Sequence, residues 1–133
     1  MHLDNLVALV TFLALATYLW TGIGVGRSRH RYNVPAPATT GAPEFERAFR
    51  VQMNTLEWLP VFLVSMWLFA WLWDGRFAAG IGLVWVLARI HYAVSYSDDP
   101  SKRAPGFMIQ AIATMVLLAG DIGRVIFNLV TGG

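Results

Sequence analysis

The chain has no cysteine among its 133 residues. Disulfide staples, thiolate metal sites and a cysteine nucleophile are all excluded, and any reactive thiol must arrive with a ligand. Charge is scarce as well: Asp, Glu, Lys and Arg make up 14% of the residues, against roughly 25% in a soluble domain. Hydrophobic residues account for 56%, more than a unit of this size can bury, so the surplus must face lipid, other subunits or both. A water-soluble monomer does not fit this balance. The three histidines, His2, His30 and His91, have no carboxylate or histidine at ligand spacing, which argues against a metal site. The formal charge of +2 forms no basic stripe interleaved with stacking aromatics, so nucleic acid is not an expected partner.

What the chain does have is long apolar segments. A bilayer core of about 30 Å takes roughly 20 apolar residues per helix, and four such spans fit, at about 5–26, 44–73, 77–97 and 104–130. The expected fold is an all-α, integral-membrane four-helix bundle forming one domain over 1–133. The first segment carries Asp4 rather than a basic cluster and exceeds a typical signal-peptide core, so it reads as a retained helix. Residues 27–43, with three prolines, read as a structured loop, 74–76 as a tight turn, and 97–104 as a polar loop broken by Pro100. Arg27, Arg29 and Arg31 sit in the first connection and Lys102 and Arg103 in the third, whereas the second holds Arg76 alone. Because cytoplasmic loops retain positive charge, the loops at 27–43 and 97–104 are expected to be cytoplasmic, with both termini on the opposite side.

The second segment is too polar in its first half for a simple anchor. At about 30 residues it would extend on the order of 45 Å, beyond the bilayer core. Arg47, Arg50, Asn54 and Glu57 fall within an arc of roughly 80° on a helix, and Gln52 points nearly the other way. Ionisable groups at membrane depth cost about 2.5 to 3.5 kcal/mol each on insertion scales. They read either as an Arg–Glu network locking helices together or, more sharply, as a pocket for a polar, mostly anionic ligand. Arg89, Tyr92 and Tyr96 share one side of the third helix and approach the same end. Gly22, Gly24 and Gly26 imitate a dinucleotide loop, but no strand precedes them, so close helix packing is expected there and at Gly80 and Gly82. Asp121 and Arg124 read as a local ion pair near the far interface, and Pro60 as a kink just beyond Glu57.

These residues carry a resemblance. The stretch PEFERAFRVQMNTLEWLP at 43–60 resembles the signature segment of the MAPEG family (membrane-associated proteins in eicosanoid and glutathione metabolism), whose pattern is close to E-R-x-x-R-x-Q-x-N-x-x-E-Y-x-P. Glu46, Arg47, Arg50, Gln52, Asn54, Glu57 and Pro60 all match it. The similarity extends through PATTGAP upstream and ARIHYAVSY and KRAP downstream.

The resemblance implies a homotrimer in which glutathione, as co-substrate, binds between neighbouring subunits near the cytoplasmic face. Arg50, Asn54, Glu57, Tyr92 and Tyr96 match glutathione-contacting positions, with Arg29 and Gln52 also in the matching set. Glutathione brings two carboxylates and one ammonium, so Arg29 and Arg50 suit the former and Glu57 the latter. The implied chemistry is a glutathione transferase whose thiolate attacks a lipophilic electrophile, with reduction of lipid hydroperoxides as a companion activity. A thiol with pKa near 8.5 needs a cation to ionise at neutral pH. Arg103 aligns with the family's thiolate-stabilising arginine, and Lys102 competes for that role. Trp58 stands where the family often has tyrosine, which loses a hydroxyl. His30 replaces an arginine of leukotriene-forming members, which points to a general transferase. The second substrate is expected in an apolar crevice between helix one of one subunit and helix four of another. The alternative is a non-catalytic lipid-binding or scaffold member of the same fold. A transporter would need polar residues through the full bilayer depth, which helices one and four lack.

Overall fold

Lipid offers the backbone no hydrogen-bond partners, so an apolar spanning segment must satisfy its own amides as a helix. The computed structural model describes residues 2–133. It contains α1 (Leu3–Arg31), α2 (Pro43–Leu72), α3 (Gly75–Asp98), a single 3-10 turn (Pro100–Lys102) and α4 (Ala104–Thr131). All four helices are long and apolar enough to cross a membrane. Their ends follow local chemistry. Proline opens both α2 and α4, where its missing N–H costs nothing. Asp74 caps α3 by accepting the Arg76 amide at 2.7 Å. Gly132 closes α4 in the left-handed conformation at φ 70.

Helices α2 and α3 form the centre: each packs against the other and against both α1 and α4, while α1 and α4 flank them. The core is built around Phe62 of α2 stacked on Trp85 of α3, with centroids 4.1 Å apart and planes within 2°. Val7, Val10, Met66 and Leu117 close around that pair. Between lipid-embedded helices, tight van der Waals contact replaces the hydrophobic drive, so small residues set the approach. A β-carbon at Gly82 would lie 2.5 Å from Met66 Sδ, and one at Gly106 would lie 2.7 Å from the Tyr92 amide nitrogen and 2.9 Å from the Ala88 carbonyl. Gly106 thus seats α4 directly on the α3 backbone beside Tyr92. Gly22 meets Gln52 in the same way at 3.1 Å, but among the described residues nothing lies within 4 Å of such a carbon at Gly24, Gly26 or Gly80. The close packing expected at those three is therefore absent within one chain.

Hydroxyls inside the spans close on their own helix: Thr11, Thr17, Thr55 and Thr114 each donate to the carbonyl four residues earlier, at 2.7 to 2.9 Å. The surface that remains is apolar, with Leu9, Phe12, Leu19, Val64, Leu87, Ile112 and Ile126 all exposed. Such a surface requires lipid, and the chain is an integral membrane protein.

Three expectations are corrected. Helix α1 continues to Arg31, so Arg27, Arg29 and Arg31 lie on its last turns and the connection spans only 32–42. Proline first interrupts at Pro35, and basic groups favour a helix C-terminus. Gly75 and Arg76 already belong to α3, and Ser97 and Asp98 still do. Asp121 and Arg124 form no ion pair. Both Asp121 oxygens are buried and have no hydrogen-bond partner among the described residues, whereas the Arg124 guanidinium lies over the Trp73 ring at 4.9 Å. Pro60 lies inside α2, which continues as helix to Leu72, and its missing amide leaves the Leu56 carbonyl without its usual donor.

Candidate functional site: a cationic cleft at one end of the bundle

Positions 50, 54 and 57 are one helical turn apart, which aligns Arg50, Asn54 and Glu57 along one side of α2. On α3, Tyr92 and Tyr96 are likewise one turn apart, with ring centroids separated by 5.6 Å. The 3-10 turn brings α4 back against them. Asp99 fixes that turn by accepting the Ser101 amide at 3.0 Å, and this hydrogen bond holds the Asp99 carboxyl below the usual carboxylate pKa. Lys102 and Arg103 then diverge. The Lys102 ammonium reaches back to Asp98 at 3.4 Å, while the Arg103 guanidinium turns over the Tyr96 ring at 5.8 Å.

The result is a cavity of about 560 Å³ lined by Arg50, Asn54, Tyr92, Tyr96 and Arg103, with Ala104, Phe107 and Met108 forming its apolar side. Among the described residues no carboxylate lines it, so two guanidiniums face this cleft with no acidic side chain on its walls. Phe107 is held by Tyr92 at 6.1 Å and edge-on by Trp58 at 5.7 Å, which gives Trp58 a wall-supporting place that needs no hydroxyl. A second cleft of about 430 Å³ lies on the other side of Arg50 and Asn54, where Thr39, Thr40, Glu46, Phe49, Met53 and Glu57 complete its lining. Arg50 and Asn54 form the ridge between the two.

The structure therefore brings Arg50, Asn54, Tyr92, Tyr96 and Arg103 into one cleft and Glu57 into its neighbour. Arg29 and Gln52 are not brought to either. The Arg29 guanidinium donates to the Ala38 carbonyl at 2.7 Å and covers the Phe45 ring at 4.8 Å, which pins the 32–42 connection onto the bundle. Gln52 packs against Gly22 of α1. Sequence reasoning missed Phe107, Met108, Thr39 and Thr40, because no polar periodicity marks them. It placed Arg89 on the Tyr92 face but not its partners: the side chain is buried and donates to Asn54 Oδ1 at 2.9 Å and Thr55 Oγ1 at 2.8 Å.

A four-helix membrane bundle with a cationic, tyrosine-walled cleft at one end is the class of protein this geometry defines. The sequence profile of the MAPEG family matches residues 7–121, and the chain belongs to that family. It is similar to an uncharacterized protein of Synechocystis sp., with 46% identity over 92% of this chain and 89% of the relative. Microsomal glutathione S-transferase 2 of Homo sapiens is 37% identical over 89% of this chain and 81% of its own. Leukotriene C4 synthase of Cavia porcellus is 35% identical over 86% and 76% respectively.

Proposed function

We propose that the protein is a membrane-bound glutathione transferase that ionises glutathione and conjugates it to lipophilic electrophiles. The observation that carries this reading is the pair Arg50 and Arg103 facing one cleft that, among the described residues, no carboxylate lines, beside two tyrosine side chains and apolar, lipid-exposed helices. The kinship with microsomal glutathione S-transferase 2 and leukotriene C4 synthase supports glutathione as the ligand.

Arg50 suits a glutathione carboxylate by bidentate pairing, and Glu57, across the ridge, suits the ammonium. Arg103 stabilises the sulfur anion once the thiol proton has left to solvent. The thiolate then forms a carbon–sulfur bond with the electrophile as the leaving group departs. With a lipid hydroperoxide, the thiolate attacks the terminal oxygen and breaks the O–O bond, giving a sulfenic acid and an alkoxide that takes a proton from solvent to leave as the alcohol. A second glutathione converts the sulfenic acid to the disulfide and water.

Two clefts sharing Arg50 and Asn54, both open in one chain, are what a site completed by a neighbouring subunit requires. In the proposed homotrimer Arg29 and Gln52, on the α1 side, contribute from the adjacent copy. The second substrate enters from lipid between α1 of one subunit and α4 of another. The polar end, with Arg27, Arg29, Arg31, Lys102 and Arg103, faces the cytoplasm and both termini the opposite compartment.

The test is a conjugation assay on detergent-purified protein with a chromogenic aryl halide and, separately, an organic hydroperoxide. Saturable, glutathione-dependent turnover that falls in Arg50→Ala supports the reading. Glutathione binding with no turnover of either substrate would leave the non-catalytic lipid-binding member as the answer.

A further inference from the structure

Arg89 is fully buried, and among the described residues no carboxylate lies within ion-pair distance of it. A buried guanidinium held only by neutral partners is costly in a membrane protein. An interhelical lock alone would be served better by an apolar contact. The partners explain the expense. Nη1 donates to Asn54 Oδ1 at 2.9 Å, Nη2 donates to Thr55 Oγ1 at 2.8 Å, and the guanidinium lies 4.3 Å from the Tyr92 ring centroid. Thr55 in turn donates to the Val51 carbonyl at 2.7 Å, so its hydroxyl is fixed as an acceptor for Arg89.

A guanidinium has donors and no acceptors. The carboxamide of Asn54 must therefore offer Arg89 its oxygen, which turns its NH2 group away. Among the described residues that NH2 donates to no protein group, and Asn54 lines both clefts. Resting on the glutathione reading, we infer that Arg89 is a positioning residue: it fixes Asn54 as a donor aimed at a carboxylate or peptide carbonyl of the bound tripeptide and seats Tyr92 beside it. Arg89 itself touches no ligand. Its forked geometry serves two acceptors at once, which a lysine ammonium cannot reproduce in the same plane.

The experiment measures glutathione affinity calorimetrically on the purified, detergent-solubilised full chain, together with the thiol pKa from thiolate absorbance. Asn54→Asp keeps an acceptor for Arg89 but removes the outward donor, and is expected to weaken glutathione at least about tenfold. Arg89→Met is expected to weaken it about as much while leaving the thiol pKa unmoved, and to have a markedly smaller effect on affinity in an Asn54→Ala background, where only the Tyr92 contact is left to lose. Arg89→Lys should recover part of the loss. Wild-type affinity in Asn54→Asp would overturn the inference, as would an Arg89→Met effect that adds fully to Asn54→Ala. If Arg89→Met lowers thermal stability without changing affinity, Arg89 is structural. If Arg89→Met does not fold, Asn54→Asp decides alone. Absence of glutathione binding by the unmodified protein would remove the functional reading and this inference together.

Discussion

The two ends of the bundle each carry an arginine resting on an aromatic ring, yet they are built for different purposes. At the far end Arg124 covers Trp73 at 4.9 Å, and the Trp73 indole N–H donates to the Gly120 carbonyl at 3.0 Å, so α2 and α4 are tied to each other. The void beside them, about 390 Å³, is lined by Trp73, Gly120, Gly123, Arg124 and Phe127, and among the described residues Arg124 is its one ionisable group. At the near end Arg103 covers Tyr96, but the ring stands beside a larger space that Arg50, Asn54 and Tyr92 also face. A cation–aromatic pair alone does not mark a site. What distinguishes the near end is convergence, since donors from α2, α3 and the start of α4 point at common empty space, with a buried arginine orienting one of them from behind.

Substitutions should separate the ends. The largest effect is expected at Arg103. Without its charge the glutathione thiol returns toward its free pKa of about 8.5, so only a few per cent is thiolate at neutral pH. Arg103→Ala should therefore lower kcat by about 10- to 100-fold, move the alkaline rise of the pH–rate profile toward about 8.5, and change glutathione affinity much less. Rate and affinity falling together would mean that Arg103 only binds. Next comes Arg50→Ala, where loss of a charge-assisted contact of about 1.5–3 kcal/mol should weaken glutathione roughly 10- to 100-fold, as read by calorimetry.

A smaller, structural effect is expected from Gly106→Val, whose β-carbon meets the Tyr92 amide nitrogen at 2.7 Å. Overpacking costs about 1–3 kcal/mol, so thermal denaturation in detergent should shift downward, and glutathione affinity should fall with it because Tyr92 and the start of α4 move together. The smallest effect belongs to the far end. Arg124→Ala removes a cation–π contact of about 0.5–1 kcal/mol, which should lower thermal stability slightly and leave kcat and glutathione affinity as they were. A loss of affinity there would erase the distinction between the ends.

Much of this layout was legible in the chain itself. The spacing of Arg50, Asn54 and Glu57, and of Tyr92 and Tyr96, is a property of helical periodicity, so the facing of two polar stripes followed from the residues and four-span topology. The end of α1 was not legible. Hydropathy falls at Arg27, but a helix leaving the membrane does not stop where lipid does, and within one subunit Arg29 clasps its own loop without lining either cleft. Nor was the fate of Asp121 and Arg124 readable, since their three-residue spacing permits an ion pair but cannot show that Trp73 occupies the arginine. The apolar lining at Phe107 and Met108 looks like any lipid-facing residue until α3 supplies the other wall.

The most direct test of the central claim, that the near-end cleft ionises a glutathione thiol through Arg103, is thiolate absorbance near about 240 nm during glutathione titration of the purified protein at neutral pH. The expected result is a saturable signal in the unmodified protein that disappears in Arg103→Ala while calorimetry still detects bound glutathione. A bound tripeptide with no thiolate signal in the unmodified protein, or a signal that persists undiminished in Arg103→Ala, would contradict it.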